Sequence, residues 1–355
     1  MADLIQYLKY AVEHEASDML IVAGGPVYAK VDGHMCPVDD ERLLPPQTEE
    51  VVKQIYETAK RPMELFMKTH DDDFSFSLPG LARFRVNAFR QRGSMAAVIR
   101  IVSFEIPDWK KMGIPQQVID LAEVDHGMIL VTGTAGSGKS TTQACIIDQI
   151  NRTKDYHIIT LEDPIEYLHR NQKSIISQRE IAVDTGDYLT ALRACLRQAP
   201  DVIQLGEMRD LETIRTAMTA AETGHLLLAT LHTRGAVNTI DRIIDTFPAD
   251  QQDQIRIQLS AVLRTVVSQQ LVPDVNGDQI PIFEIMHTSS AIRSMIRDSK
   301  NHQIPAAIAA GGSEGMISMD QSLLAAWQAG RITRQTALEY ADNPEQLLRR
   351  MESHA

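Results

Sequence analysis

Gly133-Thr134-Ala135-Gly136-Ser137-Gly138-Lys139-Ser140 follows the apolar run Met128-Ile129-Leu130-Val131 and precedes Ile146, Ile147 and Ile150 at helical spacing. Strand, glycine-rich turn and helix in that order make a phosphate-binding loop, and G-x-x-x-x-G-K-[ST] is present in full. The glycines let backbone N–H groups turn inward, Lys139 places a cation by the β- and γ-phosphates, and the Ser140 hydroxyl suits a Mg²⁺ ion. Residues Gly133 through Thr141 are therefore the candidate site for ATP, with Mg²⁺ held by Ser140, phosphates and water. No N-K-x-D occurs downstream, which disfavours a guanine nucleotide.

Outward from this loop, strands are expected at 127–132, 157–161, 201–205 and 225–230, alternating with helices at about 139–151, 187–198, 210–222 and 250–271. Such alternation implies a parallel-rich α/β sheet with crossover helices. From about 289 only helical patterns remain, with Gly330 a candidate stop and Thr333 a candidate start. Upstream, Leu4, Tyr7, Leu8 and Val12 predict a helix over 3–15, and Pro45-Pro46 opens another to about 59. Short strands follow at 19–22 and 27–31, the latter before a turn at Asp32-Gly33. Residues 73–104 alternate in strand fashion, with turns at Pro79-Gly80 and Arg92-Gly93. This predicts a small α+β unit over 1–106, a linker over 107–115, a nucleotide domain over 116–288 and a helical appendage over 289–355.

The chain has 355 residues and a formal net charge of −12, a poor balance for gripping nucleic acid. Cys36, Cys145 and Cys195 lie far apart and no C-x-x-C occurs, which argues against a disulfide framework or cysteine zinc site and fits a reducing cytoplasm. Met1-Ala2-Asp3-Leu4 carries an acid where a signal peptide has lysines. No apolar run approaches the roughly 18 residues of a membrane span.

Beyond the loop, several groups suit phosphate chemistry. Asp201-Val202-Ile203-Gln204-Leu205-Gly206-Glu207 is an apolar strand ending in a carboxylate, and ligands sit at the carboxyl ends of such strands. Glu207 is thus placed to polarise a water; the plainer reading is an acid opening the helix at Asp210. Glu162, Asp163 and Glu166 crowd a second strand end, either as an acidic turn or beside compensating positive charge. His225 and His232 bracket one strand and so fall at opposite ends, His232 on the side of Glu207 as a possible γ-phosphate sensor. Arg83 and Arg85 share one strand face and Arg100 lies on the next strand. They are surface arginines paired with acids, or arginine fingers that reach a phosphate in a neighbouring subunit.

Together these residues resemble the PilT family of secretion-type motor ATPases, the type IV pilus retraction ATPases, over nearly the whole chain. Thr132-Gly133 through Thr142 is similar to that family's Walker A, and Thr160-Leu161-Glu162-Asp163-Pro164-Ile165-Glu166 to its Asp box. Gly206 through Thr213 is similar to its atypical Walker B, and Thr223-Gly224-His225 with Thr230-Leu231-His232-Thr233 to its His box. Arg83-Phe84-Arg85-Val86-Asn87 and Arg100 are similar to its N-domain arginines, and Ala291 through Arg297 to a motif tied to retraction. The resemblance implies a PAS-like N-terminal domain, a RecA-like P-loop domain and a homohexameric ring. It also implies a seat on the cytoplasmic face of the pilus platform protein of the inner membrane, with a paralogous pilus ATPase as a second candidate partner. Departures are Ala135 for a usual Pro, Gln204 for an apolar residue, Lys30 for Arg, Arg90 for Asn, and no His after Ser17-Asp18-Met19-Leu20-Ile21. Two other functions remain open here: a pilus-assembly or type II secretion ATPase, and a RecA-like nucleic-acid motor.

Overall fold

The computed structural model describes residues 3–31, 33–102 and 105–353. The expected turn residue Asp32 and the opening Met1-Ala2 lie outside them. The chain divides into two units, one of residues 1–105 with 166–168, the other of residues 106–165 with 169–355.

The first unit runs α1 (Leu4–Glu13), β1 (Asp18–Ile21), β2 (Tyr28–Val31), β3 (His34–Pro37), α2 (Pro45–Thr58), α3 (Glu64–Thr69), β4 (Asp71–Leu78), β5 (Ala82–Gln91) and β6 (Ser94–Val102). Asp3 caps α1 by accepting from the N–H of Ile5, and the prolines at the start of α2 occupy positions that need no donor. The strands form an antiparallel sheet in the order β3-β2-β1-β6-β5-β4. Strand alternation sends Phe74, Phe76, Phe84, Val86 and Ile99 into a core with Leu8, Val52, Ile55 and Tyr56. The opposite face carries the polar residues between them, Arg83, Arg85 and Asn87 among them.

The second unit contains α4 (Gln116–Ile119), β7 (Gly127–Thr132), α5 (Lys139–Thr153), β8 (His157–Glu162), β9 (Ile175–Glu180), α6 (Tyr188–Cys195), β10 (Val202–Leu205), α7 (Leu211–Glu222) and β11 (Leu226–Leu231). It continues through α8 (Ala236–Asp245), α9 (Ala249–Val262), β12 (Leu263–Pro273), β13 (Gln279–His287), α10 (Ser290–Arg297), α11 (Ile304–Ala310), α12 (Met319–Gln328), α13 (Arg334–Glu339) and α14 (Pro344–Glu352). The sheet order is β13-β12-β7-β11-β10-β8-β9. All neighbours pair in parallel except β12 with β13. Every residue of β7, β10 and β11 is buried, because helices cover both faces. Met128, Leu130, Ile203 and Leu227 point to one core with α7 and α9, and Ile129, Val202, Leu226 and Leu228 to another with α5. The segment read as a linker packs within this unit, where Ile114 joins Val118, Ile146 and Ile147.

One expected element is corrected. The helix read over 250–271 stops at Val262, and residues from Leu263 form β12 beside β7. The β-branched run Thr265-Val266-Val267 favours a pleated, buried surface, and hydrophobicity alone does not separate such a run from a buried helix. Beyond β13 the chain is helical: Thr333 caps α13 through the N–H of Thr336, and Gly330, at φ 68°, follows the end of α12.

Candidate functional site

Four successive parallel strands carry the candidate groups on their carboxyl ends. The phosphate loop follows β7, His232 follows β11, Glu207 follows β10, and Glu162 ends β8, in that order across the sheet. Sequence separations of up to 100 residues thereby collapse onto one edge of one sheet.

The loop's shape is forced from below by β12. Gly133 has φ 147°, and a Cβ there would collide with the carbonyl oxygen of Gln269. Gly138 has φ 85°, and a Cβ would lie 2.8 Å from Gln269 Nε2. Lys139 is buried and donates to the carbonyls of Gly133 (3.0 Å) and Thr134 (2.9 Å). The buried hydroxyls of Thr132 and Ser137 have no hydrogen-bond partner among the described residues, as fits a loop whose polar atoms await an anion. Ser140 opens α5 beside Lys139, with its hydroxyl on the first turn. The donor set fits a nucleoside phosphate: backbone N–H groups at a helix start, one lysine and hydroxyls. A cleft of about 440 Å³ continues from Gly138 and Thr141 past Leu271, Ile280 and Met112 to Arg331.

Glu207 is buried; its Oε2 lies 3.3 Å from His232 Nε2, and its Oε1 pairs with Arg209. The residue before it is glycine for a steric reason. A Cβ on Gly206 would approach the Tyr188 hydroxyl to 2.6 Å and the Leu161 carbonyl oxygen to 3.1 Å. Burial, and then the negative charge of Glu207, push the Tyr188 phenol far up. Glu162 is buried too, accepting from Thr160 Oγ1 and from Gln178 Nε2 (3.2 Å). Gln204, the polar departure in an apolar strand, donates to Gln143 Oε1 at 3.3 Å. The pair satisfies part of its buried polarity between β10 and α5.

The other residues sit elsewhere. His225 stands at the amino end of β11, with Nδ1 3.0 Å from the Ala220 carbonyl, so this chain does not bring it to Glu207. Glu166 is exposed and belongs to the first unit's cluster. Arg85 lies directly opposite Arg100 on neighbouring antiparallel strands, with Arg83 on the same face. Arg100 pairs with Asp18 at 3.0 Å, and Arg83 donates to Ser77. Sequence reasoning missed Gln269, which donates to the Ser137 carbonyl (2.6 Å) and accepts from Thr142 Oγ1 (2.7 Å). The available signal was an amide pair, Gln269-Gln270, inside an apolar β-branched run.

A family profile described as type II/IV secretion system protein matches residues 2–280. The chain belongs to that family. It is a secretion-type ATPase. The type IV pilus retraction ATPase PilT of Pseudomonas aeruginosa is 42% identical over 97% of this chain and 99% of its own. The twitching motility protein of Neisseria gonorrhoeae is 41% identical over 90% of this chain and 85% of its own. A crystal structure of the pilus retraction motor PilT with bound ADP matches with a TM-score of 0.89 at 44% identity, covering 98% of this chain and 100% of that one. Both units thus follow the secretion-family ATPase fold, a small sheet domain and a parallel-rich sheet domain. Among the described residues no helix is long and apolar enough to cross a membrane.

Proposed function

We propose that this ATPase couples hydrolysis to retraction of a type IV pilus. It would do so as a homohexamer in the cytoplasm, at the inner-membrane platform protein, with a paralogous pilus ATPase as a second candidate partner. The observation that carries the hydrolytic reading is the row of phosphate loop, His232, Glu207 and Glu162 along one sheet edge. Retraction rather than assembly rests on the PilT and twitching-motility relatives, which match over nearly their full lengths.

In this reading the loop N–H groups and Lys139 hold the β- and γ-phosphates. Ser140 would hold Mg²⁺ with phosphate oxygens and water, and the ion supplies neutralisation of phosphate charge. The base and ribose take the cleft between Leu271 and Met112. Glu207 orients a water in line with the γ-phosphorus. Attack forms the new P–O bond while the bond to the β-phosphate oxygen breaks, giving ADP and phosphate, and Glu207 accepts the water's proton. Arg209 and His232 keep that carboxylate aimed. His232, half-exposed beside it, is the group that senses the γ-phosphate and relays its loss to the segment leading into α8. Glu162, held by Thr160 and Gln178, would contribute negative charge at the same sheet edge. Arg85 and Arg100, with Arg83, act on the phosphate of a neighbouring protomer.

Deleting the gene and scoring surface pili and twitching tests the biological half. Excess unretracted pili with lost twitching are expected, restored by the wild-type gene and not by Glu207→Gln. Bald cells would instead support the assembly reading.

A further inference from the structure

Gln269 lies more than 120 residues from the phosphate loop in sequence, in a strand that pairs with the apolar β7, and it is 2% exposed. Its carboxamide is used at both ends. Nε2 donates to the Ser137 carbonyl at 2.6 Å and Oε1 accepts from Thr142 Oγ1 at 2.7 Å. The orientation is decided by chemistry, since the opposite flip would set two oxygen acceptors, Oε1 and the Ser137 carbonyl, against each other.

The consequence lies on the other side of the peptide bond. In a planar trans peptide the C=O of one residue and the N–H of the next point in opposite directions. The Ser137 carbonyl is tied down toward β12, so the Gly138 N–H is turned up, away from β12 and immediately before Lys139. Gly138 itself is in a left-handed conformation pressed against the same amide. Rotating this peptide would break the hydrogen bond to Ser137 and leave a buried carbonyl and a buried amide unpaired. The adjacent Ser268 accepts from the N–H of Gly235, in the segment after His232. One stretch of β12 thus touches both the phosphate loop and the segment that carries the candidate sensor.

We propose that Gln269 is a positioning residue for the phosphate loop, its carboxamide setting the direction of the Gly138 N–H and with it the affinity for a nucleoside diphosphate. The inference rests on the nucleotide reading above. Without the amide the Ser137 peptide is free to turn, and a donor meant for phosphate is lost. A role confined to packing would lower stability and leave the affinity of folded protein unchanged.

The test is ADP binding to the full-length protein, titrated well below the melting temperature of each variant. Gln269→Leu, close in volume and unable to donate, should weaken ADP at least about tenfold. Gln269→Glu supplies a chemical rescue: its protonated carboxyl can donate to the Ser137 carbonyl, and its carboxylate cannot. The affinity of this variant relative to wild type should therefore rise as pH falls from about 8.5 to 5.5, because a buried carboxyl is pushed up into that range. A folded Gln269→Leu that binds ADP like wild type overturns the proposal. If Gln269→Leu does not fold, a Gln269→Glu affinity ratio that is flat with pH overturns it. Wild-type protein that binds no ADP, like a Lys139→Ala control, would overturn the nucleotide reading instead.

Discussion

On the carboxyl edge of the second unit's sheet the acids are already engaged: Glu207 by Arg209 and His232, Glu162 by Thr160 and Gln178. On the open face of the first unit's sheet one charge is left over. Arg85 faces Arg100 across the β5–β6 pair and makes no side-chain hydrogen bond or ion pair among the described residues, while Asp18 takes Arg100 and the Ser17 hydroxyl, and Asp73 takes Asn87. Like charges placed opposite one another on a sheet cost stability. The first arrangement has its acids hydrogen-bonded inside one chain, as suits chemistry that needs fixed dipoles before the substrate arrives. The second leaves Arg85 opposite a like charge with no acid of its own among the described residues, as suits a surface that meets an anion supplied from outside.

The contrast breaks most directly at Glu207. Glu207→Gln preserves size and one acceptor oxygen but removes the charge, and turnover should fall on the order of 10²-fold or more. ADP affinity, set by the phosphate loop, should stay within about threefold. Steady-state phosphate release and nucleotide titration read the two separately. Near wild-type turnover would move the water-orienting role to Glu162 or Glu166.

The arginine face is tested by mixing. Arg85→Ala/Arg100→Ala protein and Lys139→Ala protein should each be nearly inactive alone. If the arginines serve a neighbour's phosphate, some mixed interfaces combine an intact loop with intact arginines, and activity appears that neither shows alone. Activity that only averages the two at every ratio, in rings shown to co-assemble, would place the arginines in their own protomer's service or in none.

A smaller effect separates the edge from the face by pH. The backbone N–H of His169 donates to Gln178 Oε1, whose amide in turn holds Glu162. Its ring Nδ1 is buried with no hydrogen-bond partner among the described residues, and burial pushes the ring's pKa down to about 4. The unfolded chain would bind that proton near pH 6.5, so the native state is favoured above 6.5 and loses this advantage as pH falls toward 4. The loss is at most about 3 kcal/mol. His169→Phe should flatten the slope of denaturation midpoint against pH over that window. A slope equal to wild type would show that the imidazole charges without penalty.

What was legible in the sequence follows from locality. The phosphate loop, its strand and its helix are contiguous, and Gly133, Gly138 and Lys139 announce their conformations and charge by residue type alone. The arginine face was legible because strand alternation fixes which side Arg83 and Arg85 share. β12 was not: Val262 to Val272 is apolar enough for a buried helix or a buried strand, and only its place beside β7 decides. The misplaced helix hid Gln269, since its partners Ser137 and Thr142 are reached only once β12 lies under the loop. Gln204 stood out by residue type, but its partner Gln143 becomes visible only when α5 packs over β10.

The smallest expected effect on the purified protein concerns α10, which joins the two kinds of surface on a single helix. Ser289 caps it through the N–H of Ile292; Ile292 and Ile296 are buried in the core shared with α9, and Met295 packs beside them. Arg297 is exposed and among the described residues meets its neighbours Ser294 and Asp298, the latter at 3.5 Å. Arg293 is half-buried, its Nε has no hydrogen-bond partner among the described residues, and its charge bears on Arg264, whose own pKa is lowered first by burial and then by Arg293. Arg293→Ala/Arg297→Ala leaves the apolar stripe intact and relieves that repulsion, so stability should change by less than about 1 kcal/mol. ATP turnover should stay within about twofold, because none of the groups on the carboxyl edge is touched. Retraction in cells should nevertheless fail, since Arg293, with no acid partner among the described residues, and the exposed Arg297, held only by its sequence neighbour Asp298, are the part of this helix left for a partner or a moving segment. Turnover lost in step with retraction would assign these arginines to the ATPase site or to ring assembly. Normal twitching would make them solvated charge, and Arg85 of the first unit would then be the stronger candidate for meeting an anion supplied from outside.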